Sequence, residues 1–419
     1  MFAPGPAATA APATAIGPVT AGERIEVLDV LRGFALFGIL WMNTPGDWGD
    51  GWHNRIVGWL GVGLADGKFY TLYSFLFGLG FAVQLLRAEA RGARIVPVYV
   101  RRLLALWSIG VAHLVFLSGF DILHAYAIMG FLLLLFRKCS PRTLLLFALL
   151  SLAWAVEGDW VVNAVSGLRR ADPEVARAVA LDRSNHEAGR PARWQEFWPA
   201  EARGSYPEMV VGRAAWMQWR YSRWQHYFDG DIFCMFLLGL YAGRRGIFQN
   251  VTAHLPFIRR VMWWGLAVGL TLNATDVVMG ELSRARGFQW GYEEGHLARI
   301  VYLVGRPALC LFYASAITLA MQSETWKRRL RPLAWPGRMG LTNYLLQSVI
   351  MTTLFCGYGL GLMPYASWFL ALVLALVIWP LQIPLSAWWL KRFRFGPMEW
   401  LWRTVTYGKA QPMRAREAA

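Results

Sequence analysis

Seven histidines and a few polar residues inside apolar stretches are where this sequence can do chemistry. His113 lies deep in an apolar run, and Asp121, His124 and Tyr126 follow it closely. A carboxylate beside an imidazole is what a general base needs, because the ring titrates near neutrality and the carboxylate orients it. At 1.5 Å per helical residue His113 stands about 18 Å beyond Arg101, in the far half of a core ~30 Å thick. Hydrogen bonding between helices is the simpler role for such a histidine. A second group comprises Asn43 and the segment 44–66 with Asp47, Asp50, His53 and Asp66. Arg306 sits about 10 Å into another apolar run and requires an anion or a carbonyl as partner. Asp29 and Arg32, three apart on one helical face, either neutralise one another or receive a ligand. Asn343 and Gln347 present two amides on one face, suited to joining helices.

The elements that position these groups follow from composition. Of 419 residues 56% are hydrophobic and only 16% charged, against about 25% charged in soluble domains. Aromatic residues reach 15%, with 23 Trp, as amphipathic rings do at membrane interfaces. A core ~30 Å thick needs about 20 apolar residues per helix. Windows of that kind centre on 27–43, 67–86, 102–118, 122–136, 143–164, 231–243, 261–280, 299–321, 340–358 and 367–390. The expected fold is all-α, a polytopic transmembrane bundle of about ten spans with both termini cytoplasmic and one long outer loop.

The net charge of +16 would point to nucleic acid in a soluble protein. Here it is topological: more than half of the 42 Lys and Arg fall in segments that one orientation places inside, and the short outer loops hold few. No nucleic-acid partner is needed. The expected organisation is a disordered tail 1–22 with no signal peptide, an N-terminal half 23–164 of five spans, an outer loop 165–230, a C-terminal half 231–394 of five spans, and a cytoplasmic interfacial helix and tail 395–419. The Trp- and Arg-rich loop has helix-compatible stretches at 171–183 and 208–224, read as amphipathic segments on the outer surface or capping the bundle, or as a substrate lid. In 395–407, Glu399 and Arg403 form an i,i+4 pair. Gly239 and Gly243 form a GxxxG for close helix contact. The four cysteines are dispersed, with neither a disulfide framework nor a metal site expected. No P-loop, Rossmann fingerprint, HExxH or GxSxG is present.

Several segments in order carry a resemblance: RIEVLDVLRGFALFGILWMN (24–43), GKFYTLYSFLFGLGFAVQLLRA (67–88), RRLLALWSIGVAHLVFLSGFDILHAYAIMG (101–130), GRMGLTNYLLQSVI (337–350) and FGPMEWLWRTVTYG (395–408). They resemble the YeiB-like bacterial inner-membrane proteins, whose C-terminal half is a domain of unknown function. More distantly, Leu31-Arg32-Gly33, Asn43, His53, Ala65-Asp66 and the FLFG of 75–78 resemble transmembrane acyltransferases of the heparan-α-glucosaminide N-acetyltransferase type. The two resemblances together imply a bacterial inner-membrane protein moving an acyl group from cytosolic acetyl-coenzyme A, or another acyl-coenzyme A, to a glycan or lipid-linked acceptor outside. The second casts His53 as base and Asn43 as polariser of the thioester carbonyl; His113 with Asp121 is the competing base. Cytoplasmic Arg32, Arg101 and Arg102 are candidates for the coenzyme phosphates, guanidinium being matched to phosphate. Asp66, His124 and Arg306 are candidate substrate contacts. A transporter or flippase with Asp29, Arg32, His113 and Arg306 along a polar path is the alternative. A non-catalytic component acting through its outer loop is the third reading, and a homo-oligomer is left open.

Overall fold

The computed structural model describes residues 24–46, 51–169, 177, 181, 201–221, 229–286 and 292–414, without the side chains of 159–169, 220, 286 and 292–294. The described residues are helical, with no strand and one isolated bridge between Phe393 and Arg414. The tail 1–22, Asp47, Asp50 and nearly all of the stretch 171–183 lie outside the described residues.

Fifteen described helices build the bundle: α1 (Glu26–Asn43), α2 (Trp52–Leu60), α3 (Lys68–Ala90), α4 (Ile95–His113), α5 (Leu123–Leu133), α6 (Pro141–Arg169), α7 (Tyr206–Arg220), α8 (Gly230–Arg244), α9 (Leu255–Arg286), α10 (Tyr292–Ala320), α11 (Glu324–Leu330), α12 (Ala334–Arg338), α13 (Gly340–Phe355), α14 (Trp368–Arg392) and α15 (Pro397–Tyr407). Among the described residues six stretches are long and apolar enough to cross a membrane: Trp52–Ala90, Ile95–Ser118, Pro141–Gly158, Thr252–Ala285, Gly295–Ala320 and Trp368–Arg392. The chain is a helical membrane protein. The other four expected spans coincide with α1, α5, α8 and α13, of 18, 11, 15 and 16 residues. α1 meets the length, but Glu26, Asp29 and Arg32 make it more polar.

Lipid tails are as apolar as leucine, so these helices must gain stability by close packing and hydrogen bonds rather than by leaving water. Small residues supply the approach. A Cβ on Gly239 would stand 2.0 Å from the Phe75 carbonyl oxygen, and one on Gly243 would stand 2.3 Å from Ala82 Cβ, so the GxxxG of α8 lies backbone to backbone on α3. Gly33 of α1 and Gly337 of α12 do the same, each 1.8 Å from a carbonyl oxygen of the facing segment, Leu333 and Asp29. α3 is the shared wall of the two cores. Leu72, Leu76 and Leu79 pack with α1 and α13, while Phe81, Ala82 and Leu85 pack with α4, α5 and α8.

Two local outcomes differ from the sequence reading. The segment 44–66 is largely helical from Trp52, because Val57 buries on the bundle and the Asn54 side chain accepts from Phe369 N–H (3.0 Å) at the start of α14. Glu399 does not pair with Arg403: it turns to the start of α13, accepting from Leu341 N (2.6 Å), Thr342 N (3.0 Å) and Thr342 Oγ1 (2.6 Å). Two orphan amides at a helix N-terminus outbid a solvated i,i+4 pair. Gly396 and Pro397 start α15, Pro at the first position losing no hydrogen bond.

Candidate functional site

α4 carries Arg101 and Arg102 toward the arginine-rich end of the bundle and finishes at His113, where the helix widens into one underwound turn (Leu114–Ser118) before the turn into α5. Gly119, at φ +51°, reverses the chain there. Gly110 leaves the gap that the Asp121 carboxylate fills, since a Cβ on it would lie 2.7 Å from Asp121 Oδ2.

Two histidines meet at that carboxylate, and a hydroxyl meets the far nitrogen of each. Asp121 Oδ1 is 2.9 Å from His113 Nδ1 and Oδ2 is 2.9 Å from His124 Nδ1, while His124 N–H also donates to Oδ2 at 2.9 Å. His113 Nε2 lies 2.8 Å from Ser348 Oγ of α13, and His124 Nε2 meets the Tyr221 hydroxyl just after α7. The Asp121 side chain is wholly buried. Burial alone would raise its carboxyl, but the hydrogen bonds from His113 and His124 hold it below the usual carboxylate range. Asp121 is therefore the ionised acceptor of two ring N–H groups. This assigns both Nδ1 atoms as donors and leaves His113 Nε2 to accept from the Ser348 hydroxyl.

Below this group is a cavity of about 280 Å³, at the small end of ligand sites. Arg24, Arg32, Arg87, Arg102, Arg338 and Arg403 line it toward the basic end, and Ile122, Leu123, Tyr126 and Tyr344 toward the other. Tyr344 carries it to the polar group, its ring centroid 5.0 Å from that of His113. Arg32 also binds Asp29 (2.8 Å), as its spacing implies, and Arg24 is 3.6 Å from the same carboxylate. Arg102 stacks on Trp402 with its guanidinium carbon 3.7 Å from the ring centre. Tyr99 Oη, Arg102 Nε and Arg338 Nε are buried without a hydrogen-bond partner among the described residues. Buried donors left unpaired cost roughly 1–3 kcal/mol each, so a phosphate-bearing ligand fits these walls.

Arg101 is not among the cavity-lining side chains: its Nε donates to the Thr406 carbonyl and ties α4 to the end of α15. Asn43 is exposed at the end of α1. His53 is exposed too, edge-on to the rings of Trp52 and Phe369. Among the described residues neither is hydrogen-bonded to the His113 group. Asp66 and Arg306 come together instead (2.6 Å), with Tyr70 Oη 2.7 Å from Arg306 Nη1 and 3.2 Å from Asp231. Gly67, at φ +77°, makes that pairing possible because a Cβ there would lie 2.2 Å from Arg306 Nε. Asn343 and Gln347 join α13 to α14, as interhelical amides do, through Ser386 (3.0 Å) and Gln382 (2.8 Å).

Sequence reasoning missed Ser348 and Tyr221. No local spacing marks either, because Ser348 is 235 residues from His113 and Tyr221 is 97 from His124. Among the described residues no three His, Cys, Asp or Glu gather so as to hold a metal ion; each ring turns Nδ1 to Asp121 and Nε2 away from it, to Ser348 or Tyr221.

The family described as "Protein of unknown function (DUF418)" matches residues 242–409. YxaH of Bacillus subtilis, an uncharacterized protein, is 30% identical over 96% of this chain and 98% of its own length. The chain belongs to the YeiB-like, DUF418-containing family. YeiB of Escherichia coli, also uncharacterized, is 29% identical over 93% of this chain and 98% of its own. An uncharacterized 39.9 kDa protein of Bacillus acidopullulyticus, encoded in an amylase 3' region, is 28% identical over 96% of this chain and 99% of its own. No solved structure matches. In this YeiB-like protein the DUF418 region supplies α13, with Ser348 and Tyr344, and α15, which closes the basic end of the cavity. His113 and Asp121 come from the half before it.

Proposed function

We propose that this protein is an acyltransferase of the bacterial inner membrane that moves an acyl group from cytosolic acyl-coenzyme A to a glycan or lipid-linked acceptor on the outer side. The observation that carries the reading is one cavity walled by arginines at its basic end and by Tyr344 at the other, the Tyr344 ring packing on His113, whose ring Asp121 holds. The charge bias assigns the arginine end to the cytoplasm. Coenzyme phosphates suit Arg32, Arg102 and their neighbours, and the acyl-bearing arm fits the narrow apolar part beyond. Asp121 holds the His113 ring and stabilises the imidazolium that forms when Nε2 takes the acceptor's proton. Of the two candidate bases, His113 is supported by its carboxylate and by its contact with Tyr344 of the cavity wall; His53 has an aromatic setting only.

The test is transfer from labelled acetyl-coenzyme A into membrane glycans and lipids in inverted vesicles. His113→Ala should slow it by about a hundredfold or more, the usual worth of a positioned base, and His53→Ala should leave it near wild type. Wild-type rates for both variants would end the proposal. The alternative, transport, draws on the Asp66–Arg306–Tyr70–Asp231 chain, in which Arg306 is buried and Asp66 partly exposed. Vesicles that take up a solute but transfer no acyl group would favour it.

A further inference from the structure

The His113 ring has a second neighbour that a direct transfer does not use. Ser348 Oγ sits 2.8 Å from His113 Nε2, at the opposite side of the ring from Asp121. Its other acceptor, the Tyr344 carbonyl, is 3.3 Å away, so the short bond is to the histidine. Ser348 follows Tyr344 by one helical turn on α13, about 6 Å beyond a wall of the cavity. A tie between α4 and α13 would need only one hydrogen bond. An ionised, wholly buried aspartate that fixes an imidazole whose free nitrogen faces a hydroxyl is the arrangement that activates a serine.

We propose that Ser348 is the nucleophile of the transfer and carries the acyl group as an ester between the thioester donor and the acceptor. This rests on the acyltransferase reading. In the first half, Ser348 Oγ attacks the thioester carbonyl carbon and His113 Nε2 takes the hydroxyl proton. The carbon–oxygen bond forms, the carbon–sulfur bond breaks, and the proton passes from His113 to the departing coenzyme A sulfur. In the second half an acceptor hydroxyl or amine gives its proton to His113 and attacks the ester carbonyl. The bond to Ser348 Oγ breaks, and Oγ recovers its proton from His113. No oxidant, reductant or metal enters the balance. Serving both halves requires the two partners to reach one ester from opposite ends of the bundle, the donor passing the Tyr344 wall of the cavity.

The experiment needs no acceptor. Full-length protein in detergent is incubated with acetyl-coenzyme A and labelled free coenzyme A. A covalent intermediate exchanges label into acetyl-coenzyme A, and a one-step transfer does not. The expected result is exchange by wild type, a drop of about a hundredfold or more in Ser348→Ala and His113→Ala, retained exchange in Ser348→Cys, and an acetyl group on the acid-quenched peptide containing Ser348. Calorimetric binding of acetyl-coenzyme A by each variant shows that it is folded and separates the two claims. Protein that binds acetyl-coenzyme A but shows neither exchange nor acylated peptide overturns Ser348 and leaves the donor reading standing. Wild-type exchange in Ser348→Ala also overturns it. Protein that binds no acetyl-coenzyme A overturns both.

Discussion

Replacing Glu399 isolates what joins the C-terminal helix to the cavity. The Glu399 carboxyl accepts two backbone amides at the start of α13, Leu341 N–H and Thr342 N–H, and meets the Thr342 hydroxyl. Burial raises its pKa above the usual carboxylate range, against the pull of those donors. A glutamine reproduces the uncharged acid: Oε1 keeps both amides, and the side-chain NH2 donates to Thr342 Oγ1. Alanine leaves two amides without a partner, at roughly 1–3 kcal/mol each, or about 2–6 kcal/mol together. Thermal unfolding of the detergent-purified protein should therefore place Glu399→Gln within about 1 kcal/mol of wild type, with Glu399→Ala far below. The pH dependence has a fixed sign. A carboxyl raised in the folded state contributes stability that is fully present below its unfolded pKa and is lost as pH rises through the folded pKa. Wild type should lose stability over that window and Glu399→Gln should not. Equal damage from Gln and Ala, or none from Ala, would refute the capping argument.

Arg213 of α7 holds Glu201 through two bonds of 2.8 and 2.6 Å, with Cys356 beside them. Burial works against the Arg213 charge, but Glu201 raises it above the usual guanidinium range. Arg213→Ala should cost about 3–5 kcal/mol by leaving a buried carboxylate alone, and a double variant with Glu201→Gln should recover part of it in thermal unfolding. Gly239→Ala should cost at least 1–3 kcal/mol because its Cβ meets the Phe75 carbonyl. Gly212→Ala on α7, where nothing lies within 4 Å, should gain up to about 1 kcal/mol by helix propensity. Asp121 titrates with the opposite sign to Glu399. Its lowered carboxyl pKa contributes stability above its unfolded value that disappears as pH falls through the folded one, so acid unfolding of wild type should include a component that Asp121→Asn lacks.

Much of the bundle was legible because hydropathy and charge act locally. Every expected span coincides with a helix, the Gly239–Gly243 pair packs as small residues do, and Asp29 meets Arg32 one turn away. The His113–Asp121–His124 group was visible for the same reason, its members being bridged by a single turn. What failed to show was long-range. Nothing near Ser348 says that α13 crosses α4 at His113, and nothing in 44–66 told a polar loop from a helix whose Asn54 caps α14. Arg101 and Arg102 read alike as neighbours, yet a helix turns 100° per residue; one lines the cavity and the other reaches Thr406. Glu399 and Arg403 satisfied a local rule that two orphan amides on another helix overrode.

That split between adjacent arginines gives the account its most direct test. Titration calorimetry of acetyl-coenzyme A into the detergent-purified protein should show saturable binding. Arg102→Ala should weaken it about 10- to 100-fold, the loss of one charge-assisted contact of roughly 1.5–3 kcal/mol, while Arg101→Ala should change it little. Folded protein that binds nothing at millimolar ligand, or an Arg101→Ala variant weakened as much as Arg102→Ala, would contradict the cavity as the donor site.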